Sequence, residues 1–206
     1  MAQYTKNPPL LESGVLKDPR RQLERWLRAA TAAGHIEPTA MTLATVDARG
    51  RPSARLVLFK GYHRKGPTFY TNYESRKGRE LARNRHAALV FWWDRLERSV
   101  RIEGRVEKLP RAMSAKYFHS RPRVSQLGAL TSRQSRLVAT RVELDRRMAA
   151  NEKRLDGRAV PLPDFWGGYV LVPDCYEFWQ GRRGRLHDRL VFRRARRGWK
   201  IVRLEP

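Results

Sequence analysis

Met41-Thr42-Leu43-Ala44-Thr45-Val46-Asp47-Ala48-Arg49-Gly50-Arg51-Pro52-Ser53-Ala54-Arg55-Leu56-Val57-Leu58-Phe59-Lys60 is the stretch that decides the fold. Two runs of period-two alternation flank Ala48-Arg49-Gly50-Arg51, which is turn chemistry, so the segment reads as an antiparallel hairpin. A further turn near Lys65-Gly66-Pro67 and a run from Thr68 to Thr71 extend it to a β-meander. On the second strand Arg55, Val57 and Phe59 share one face and Leu56, Leu58 and Lys60 the other, so the strand sends a cation to each side.

Working outward, Asp18 is placed to cap a helix with Pro19 at its first position. Leu23, Trp26, Leu27 and Ala30 form its apolar stripe before Gly34. Residues 1–17, with Pro8, Pro9 and Gly14 and no periodicity, read as a mobile N-terminal arm, and residues 18–206 as a single domain. Downstream, Ser75 caps a short helix to about Asn84, and Ala87 to Trp93 and Arg98 to Lys108 form a second hairpin. Helices are predicted from Pro110 to Ser120 and from about Leu137 to Leu155. The predicted strands Trp166 to Val172, Tyr176 to Gln180, Arg189 to Arg194 and Trp199 to Leu204 follow. Short antiparallel strands with helices outside them give a mainly β chain with peripheral helices, an α+β small barrel.

The chain has 206 residues and 41% hydrophobic content, enough for one sizeable core. It carries 44 Lys+Arg against 20 Asp+Glu, a formal net charge of +24. That field favours anionic partners such as phosphorylated small molecules, nucleic acid or an acidic surface. A single cysteine, Cys175, excludes an internal disulfide and a cysteine-based zinc cluster, and the five scattered histidines make no metal-ligand pattern. No apolar run suits a membrane span or a signal peptide, so a cytoplasmic location and no membrane partner are expected. No nucleic-acid recognition motif is visible, so no specific nucleic-acid partner is expected.

Besides a cation-rich hairpin near the C-terminus, three clusters suit phosphate, the first being the Arg55 to Lys60 strand with its two cations. Tyr70-Thr71-Asn72-Tyr73-Glu74-Ser75-Arg76-Lys77-Gly78 leads a strand into a helix start, where free N–H groups and adjacent cations favour an anion. Tyr117, Arg121 and Ser125 recur at four-residue steps, and all three can donate to one phosphate. Phe178-Trp179-Gln180-Gly181-Arg182-Arg183-Gly184-Arg185-Leu186-His187-Asp188-Arg189 reads as a hairpin with turn glycines at Gly181 and Gly184. Arg185, His187 and Arg189 are expected on one face of its return strand.

These segments, in this order, resemble the pyridoxine/pyridoxamine 5′-phosphate oxidase family over about residues 18–206. The most specific parts are Tyr117 to Ala129, Pro161-Leu162-Pro163-Asp164-Phe165-Trp166-Gly167-Gly168, and Phe178 to Arg189. The resemblance implies an FMN-binding split β-barrel of antiparallel Greek-key type. It also implies a homodimer with FMN at the subunit interface, and oxidation of phosphorylated B6 vitamers to pyridoxal 5′-phosphate with O2 as acceptor and H2O2 as product.

Carried over, the FMN phosphate meets Arg55, Arg76 and Lys77 of one subunit and Gln134 and Ser135 of the other. The run Arg55, Leu56, Val57, Leu58, Phe59 and Lys60, with Tyr70, Thr71 and Ser99, lines the cofactor. Trp179 and Arg189 approach it across the interface. The substrate phosphate sits among Lys60, Tyr117, Arg121 and Ser125, and Arg185, Leu186 and His187 cover its ring, with Arg185 and His187 in the catalytic role.

Three departures stand out. Ser99 replaces a glutamine that the family often places near the flavin, which removes that contact or leaves it to water. Ala2 and Gln3 precede Tyr4-Thr5-Lys6 where arginines are usual, and Glu37 replaces an aspartate that the family pairs with the arm. The alternative is a flavin oxidase of the same barrel type acting in phenazine biosynthesis, which shares the C-terminal hairpin but lacks the Tyr117 to Ser125 grip.

Overall fold

A computed structural model describes Tyr4 and residues 6–206; Ala2, Gln3 and Thr5, where the arm's match and departures fall, lie outside the described residues. Helix α1 (Pro19–Ala32) begins where Asp18 accepts the backbone N–H of Arg20 at 2.9 Å, and it buries Leu23, Trp26 and Ala30. The meander forms β1 (Ala40–Val46), β2 (Pro52–Leu58), a two-residue β3 (Tyr62–His63) and β4 (Gly66–Asn72). Helix α2 (Arg76–Arg83) follows under the Ser75 cap, then β5 (His86–Trp93) and β6 (Arg98–Lys108). Helices α3 (Arg111–Ser120), α4 (Arg123–Thr131) and α5 (Arg141–Leu155) precede β7 (Trp166–Gln180), β8 (Asp188–Arg194) and β9 (Trp199–Arg203).

The antiparallel sheet runs β2-β1-β5-β6-β7-β4-β3, with β8 on β7 and β9 on β8. β1 next to β5 and β4 next to β7 are crossover pairings, and β2 comes back against β4, which curls the sheet into the expected barrel. Trp26, Phe69, Phe91, Trp93, Phe178 and Phe192 fill its interior. A smaller cluster of Phe118, Leu127, Leu155, Val160 and Trp166 seats the α3–α5 helices.

Four expectations are corrected. The predicted strands on either side of Pro173 are one strand, β7, because a register shift opposite Glu103 and Gly104 absorbs Asp174. Proline offers no N–H to a ladder, and a bulge is where a strand tolerates that. Tyr117 to Ala129 contains a helix, α4, that periodicity did not separate. Pro122 ends α3 and starts α4, since its ring cannot continue a helix but suits a first turn.

Helix α5 starts at Arg141 rather than near Leu137, because Thr140 takes the cap and accepts the Glu143 N–H at 3.1 Å. Finally, Arg185 is not on a return strand. Arg183–Arg185 form a 3-10 turn, Gly184 and Arg185 have φ of 65° and 63°, and β8 begins only at Asp188.

The N-terminal segment lies along the end of the barrel. Lys6 N–H donates to Glu97 at 3.2 Å, Arg182 donates to the Asn7 carbonyl at 2.6 Å, and Leu10 N–H donates to Asp188 at 2.9 Å. Among the described residues, Glu37 makes no hydrogen bond to this segment. Its carboxylate accepts from Thr39 and caps the entry to β1, and Glu97 and Asp188 receive the arm instead.

Candidate functional site

A cleft of about 630 Å³ opens between the β2 and β4 strands and the α3–α4 junction. Leu56, Val57, Leu58, Lys60, Tyr70, Thr71, Lys77, Tyr117, Arg121, Ser125 and Gln134 all line it, so residues up to about eighty positions apart converge on one cleft. Trp166, to which sequence reasoning gave no role, supplies the back wall. Tyr70 stacks on Tyr117 at 4.0 Å between centroids and on Trp166 at 5.6 Å. Gly168 permits this wall, since a Cβ there would lie 2.7 Å from the Tyr70 ring.

One end of the cleft is built around Lys77. Its ammonium is buried and, among the described residues, bonds only neutral groups: Gln134 Oε1 at 2.9 Å, Thr71 Oγ1 at 3.2 Å and Ser75 Oγ at 3.4 Å. Burial, and next the positive charge of Arg55, hold its pKa down to about 8, against a smaller upward pull from Glu80. A buried cation with no carboxylate of its own is a site for an anionic ligand. Gln134 lines the cleft of its own chain, bonded to Lys77, whereas the resemblance assigns it to the opposite subunit. Ser135, exposed with φ 69°, does not line the cleft.

Arg55 and Arg76 flank Lys77 but are tied to Glu80, at 3.2 and 2.9 Å. Phe59 turns its ring into the core, so only its backbone could meet a ligand in the cleft. At the other end, Arg121 occupies the break between α3 and α4. It donates to the Ser125 carbonyl at 2.7 Å and lies 4.8 Å from the Trp166 ring. Its Nη1 is buried with no hydrogen-bond partner among the described residues, so it is a donor aimed at something other than the protein. Burial lowers the Arg121 pKa and raises those of Tyr70 and Tyr117, which keeps both phenols protonated as donors.

The remaining expected residues form a second group. Ser99 and Trp179 are paired across β6 and β7 and line a separate cavity with Tyr4, Trp92, Arg101 and Glu177. The Ser99 hydroxyl is spent on the Phe91 carbonyl at 2.8 Å. Arg189 is held by buried Glu177 at 2.8 and 3.1 Å, which raises its pKa.

His187 packs on Trp179 at 4.6 Å and on Tyr4 at 5.4 Å. Its Nδ1 accepts the Arg182 N–H at 3.1 Å, so the neutral ring presents Nε2–H as a free donor. Burial, then the charge of Arg185, lower the His187 pKa. Arg185 and Leu186 are exposed on the 3-10 turn. Across one sheet face, the row Leu56, Thr42, Val90, Arg101, Glu177 separates the two groups by four strand spacings, roughly 19 Å.

No group of His, Cys, Asp and Glu among the described residues could hold a metal ion, and no helix is long and apolar enough to cross a membrane.

Comparison with known proteins places the chain in a family. A family model described as pyridoxamine 5′-phosphate oxidase matches residues 27–152, and one described as the pyridoxine 5′-phosphate oxidase C-terminal dimerisation region matches residues 166–206. The pyridoxine/pyridoxamine 5′-phosphate oxidase of Rubrobacter xylanophilus is 52% identical over 99% of this chain and 94% of its own. That of Thermosynechococcus vestitus is 54% identical over 96% and 93%. The crystal structure of PhzG from Burkholderia lata, in complex with tetrahydrophenazine-1-carboxylic acid, superposes with a TM-score of 0.89 at 32% identity, covering 96% of this chain and 98% of that one. With a family model spanning most of the chain and relatives at half identity over nearly all of it, the chain belongs to the pyridoxamine 5′-phosphate oxidase family.

Proposed function

We propose that the protein oxidises pyridoxine 5′-phosphate and pyridoxamine 5′-phosphate to pyridoxal 5′-phosphate, with FMN as cofactor, O2 as electron acceptor and H2O2 as product. The observation that carries this reading is one cleft with two anion grips: Lys77 at one end and Tyr117, Arg121 and Ser125 at the other, joined by an aromatic wall. Two phosphorylated molecules held end to end account for both. The second grip also favours a phosphorylated vitamer over a phenazine precursor, which carries no phosphate.

The residues present fit the cofactor. Among the described residues Lys77 bonds no carboxylate, and Arg55 and Arg76 stand beside it. Bound FMN supplies the two-electron acceptor that no side chain provides. The protein's own work is placement. Arg121, Tyr117, Ser125 and Lys60 hold the substrate phosphate and so fix the ring's distance, and the Tyr70–Tyr117–Trp166 wall excludes water from one side. His187 donates from Nε2 to orient the ring, with Arg185 beside it. With Nδ1 already engaged, this geometry favours orientation over proton abstraction. In an oxygen-free solution of the holoprotein, pyridoxine 5′-phosphate is expected to bleach the flavin absorbance and admitted air to restore it. An unbleached flavin at saturating substrate sinks the reading.

The second group, Trp179, His187 and Arg189, completes the site from another copy of the chain. Leu56, Leu58 and Trp92 stand exposed on the sheet face between the two groups, an apolar surface suited to a twofold partner. Lys77→Met and Arg189→Ala, each impaired alone at limiting FMN, are expected to regain activity when co-expressed. On the order of a quarter of wild type is expected, since half of randomly formed dimers are mixed and each has one intact site. No recovery in isolated mixed dimers rules out the shared site.

A further inference from the structure

Glu80 is the carboxylate whose charge acts on Lys77, and the position it occupies is unusual. It sits on α2 with 6% exposure. It accepts from Thr45 Oγ1 at 2.5 Å, Ser53 Oγ at 2.8 Å, Arg55 Nη2 at 3.2 Å and Arg76 Nε at 2.9 Å. Burial alone would push its pKa up, but the bonds from Thr45, Ser53, Arg76 and Arg55 outweigh it and hold the carboxyl at about 2.

The network also has a direction. Because Thr45 and Ser53 give their hydroxyl protons to Glu80, their lone pairs face Arg55, whose Nη1 donates to Thr45 and Nη2 to Ser53. The Leu43 carbonyl takes a further bond from Nη1 at 3.4 Å. Among the described residues, Arg55 therefore has both ends of its fork pinned and only Nε–H uncommitted, while the two Nη groups of Arg76 have no partner. Three cations against one carboxylate leave two positive charges, which match a phosphate monoester dianion.

We propose that Glu80 is a positioning residue for the cofactor phosphate: through Thr45 and Ser53 it sets the orientation of Arg55 and Arg76 around Lys77 and makes the site selective for a dianion. This rests on the FMN reading above. Preorganisation competes with a simple Coulomb effect, because a carboxylate near a phosphate also repels it. Loss of Glu80 weakens phosphate binding if positioning dominates and strengthens it if repulsion does.

The test compares FMN with riboflavin, which has the same ring and no phosphate, by fluorescence titration of the apoprotein. Glu80→Gln keeps the volume, and its one amide oxygen can still accept from Thr45 and Ser53, but its NH2 cannot accept from Arg76 and the charge is gone. Glu80→Ala removes the relay altogether. The preference for FMN over riboflavin is expected to fall by about tenfold or more in Glu80→Ala and by less in Glu80→Gln, with riboflavin affinity unchanged. The proposal is overturned if FMN binds Glu80→Gln as tightly as or more tightly than wild type, or if both flavins weaken together, which is the mark of a merely structural role. Glu80→Gln, folded by circular dichroism, decides the matter should Glu80→Ala not fold. Failure of the wild-type apoprotein to prefer FMN would strike the cofactor reading itself, a result distinguishable from either variant outcome.

Discussion

Arg121→Ala is expected to raise KM for pyridoxine 5′-phosphate by about ten- to a hundredfold, the worth of one or two hydrogen bonds to a charged group. Arg121 stands at a helix break, its Nη1 buried and unpartnered and its other amino group spent on Ser125, so it is oriented before any ligand arrives. The phosphate is remote from the reacting carbon. Removing its grip therefore loosens ground state and transition state alike, and kcat falls far less than kcat/KM. Unphosphorylated pyridoxine supplies the control, since it never used the grip. Steady-state kinetics with both substrates make the check. If the variant loses equally on both, Arg121 supports the fold of the α3–α4 junction and does not hold phosphate. Arg121→Lys is expected to recover only part of the loss, because a point charge cannot reproduce the guanidinium fork or its stacking on Trp166.

Lys77→Met is expected to weaken FMN binding by about ten- to a hundredfold and to abolish most of its pH dependence. In the ligand-free fold the Lys77 pKa lies near 8, below the ordinary 10.5. The unfolded chain thus holds this proton more tightly than the fold does. The charged form is penalised in the apoprotein below pH 8, and apoprotein stability rises as pH climbs from 8 to 10.5.

A bound phosphate dianion reverses the penalty and raises the lysine pKa, so binding takes up a proton above pH 8. Wild-type affinity is expected to hold steady from about pH 6, where the phosphate becomes a dianion, to pH 8, and then to fall by up to about tenfold per unit. Glu80, already ionised near pH 2, contributes nothing to that window. Titrations of apoprotein with FMN at pH 7, 8 and 9 check the slope. A flat wild-type profile, or a slope that survives in Lys77→Met, removes Lys77 from the phosphate site.

Much of this was legible from residues alone. The Ser75 cap, the α1 stripe with Asp18 and Pro19, and the β5–β6 hairpin all lie where their local signals place them. Local signals failed where long-range packing overrode them. Pro173 looked like a strand boundary but is carried through by a register shift against Gly104, where a Cβ would meet the Val172 carbonyl at 2.1 Å. Two-residue spacing placed Arg185 and His187 on a strand, yet Gly184 and Arg185 adopt left-handed backbone and the strand starts later. Glu80 and Glu177 had no visible signal, because a carboxylate on an amphipathic helix or strand reads as solvated until its neighbours are known.

By itself the sequence determined the element types, the barrel class and the family resemblance, since alternation, caps and turn residues act over a few positions and are written in order along the chain. Tertiary structure decided which cations are free. Arg55, Arg76 and Lys77 look equivalent in sequence, but Glu80, brought over by the packing of α2 on β1, neutralises part of the first two and leaves Lys77 buried with neutral partners. It also showed that the residues of one proposed site fall into two groups on one sheet face. The reason is physical: spacing states where a side chain points from its own backbone, while burial, charge pairing and pKa depend on what lies opposite, and that is settled only when distant segments pair.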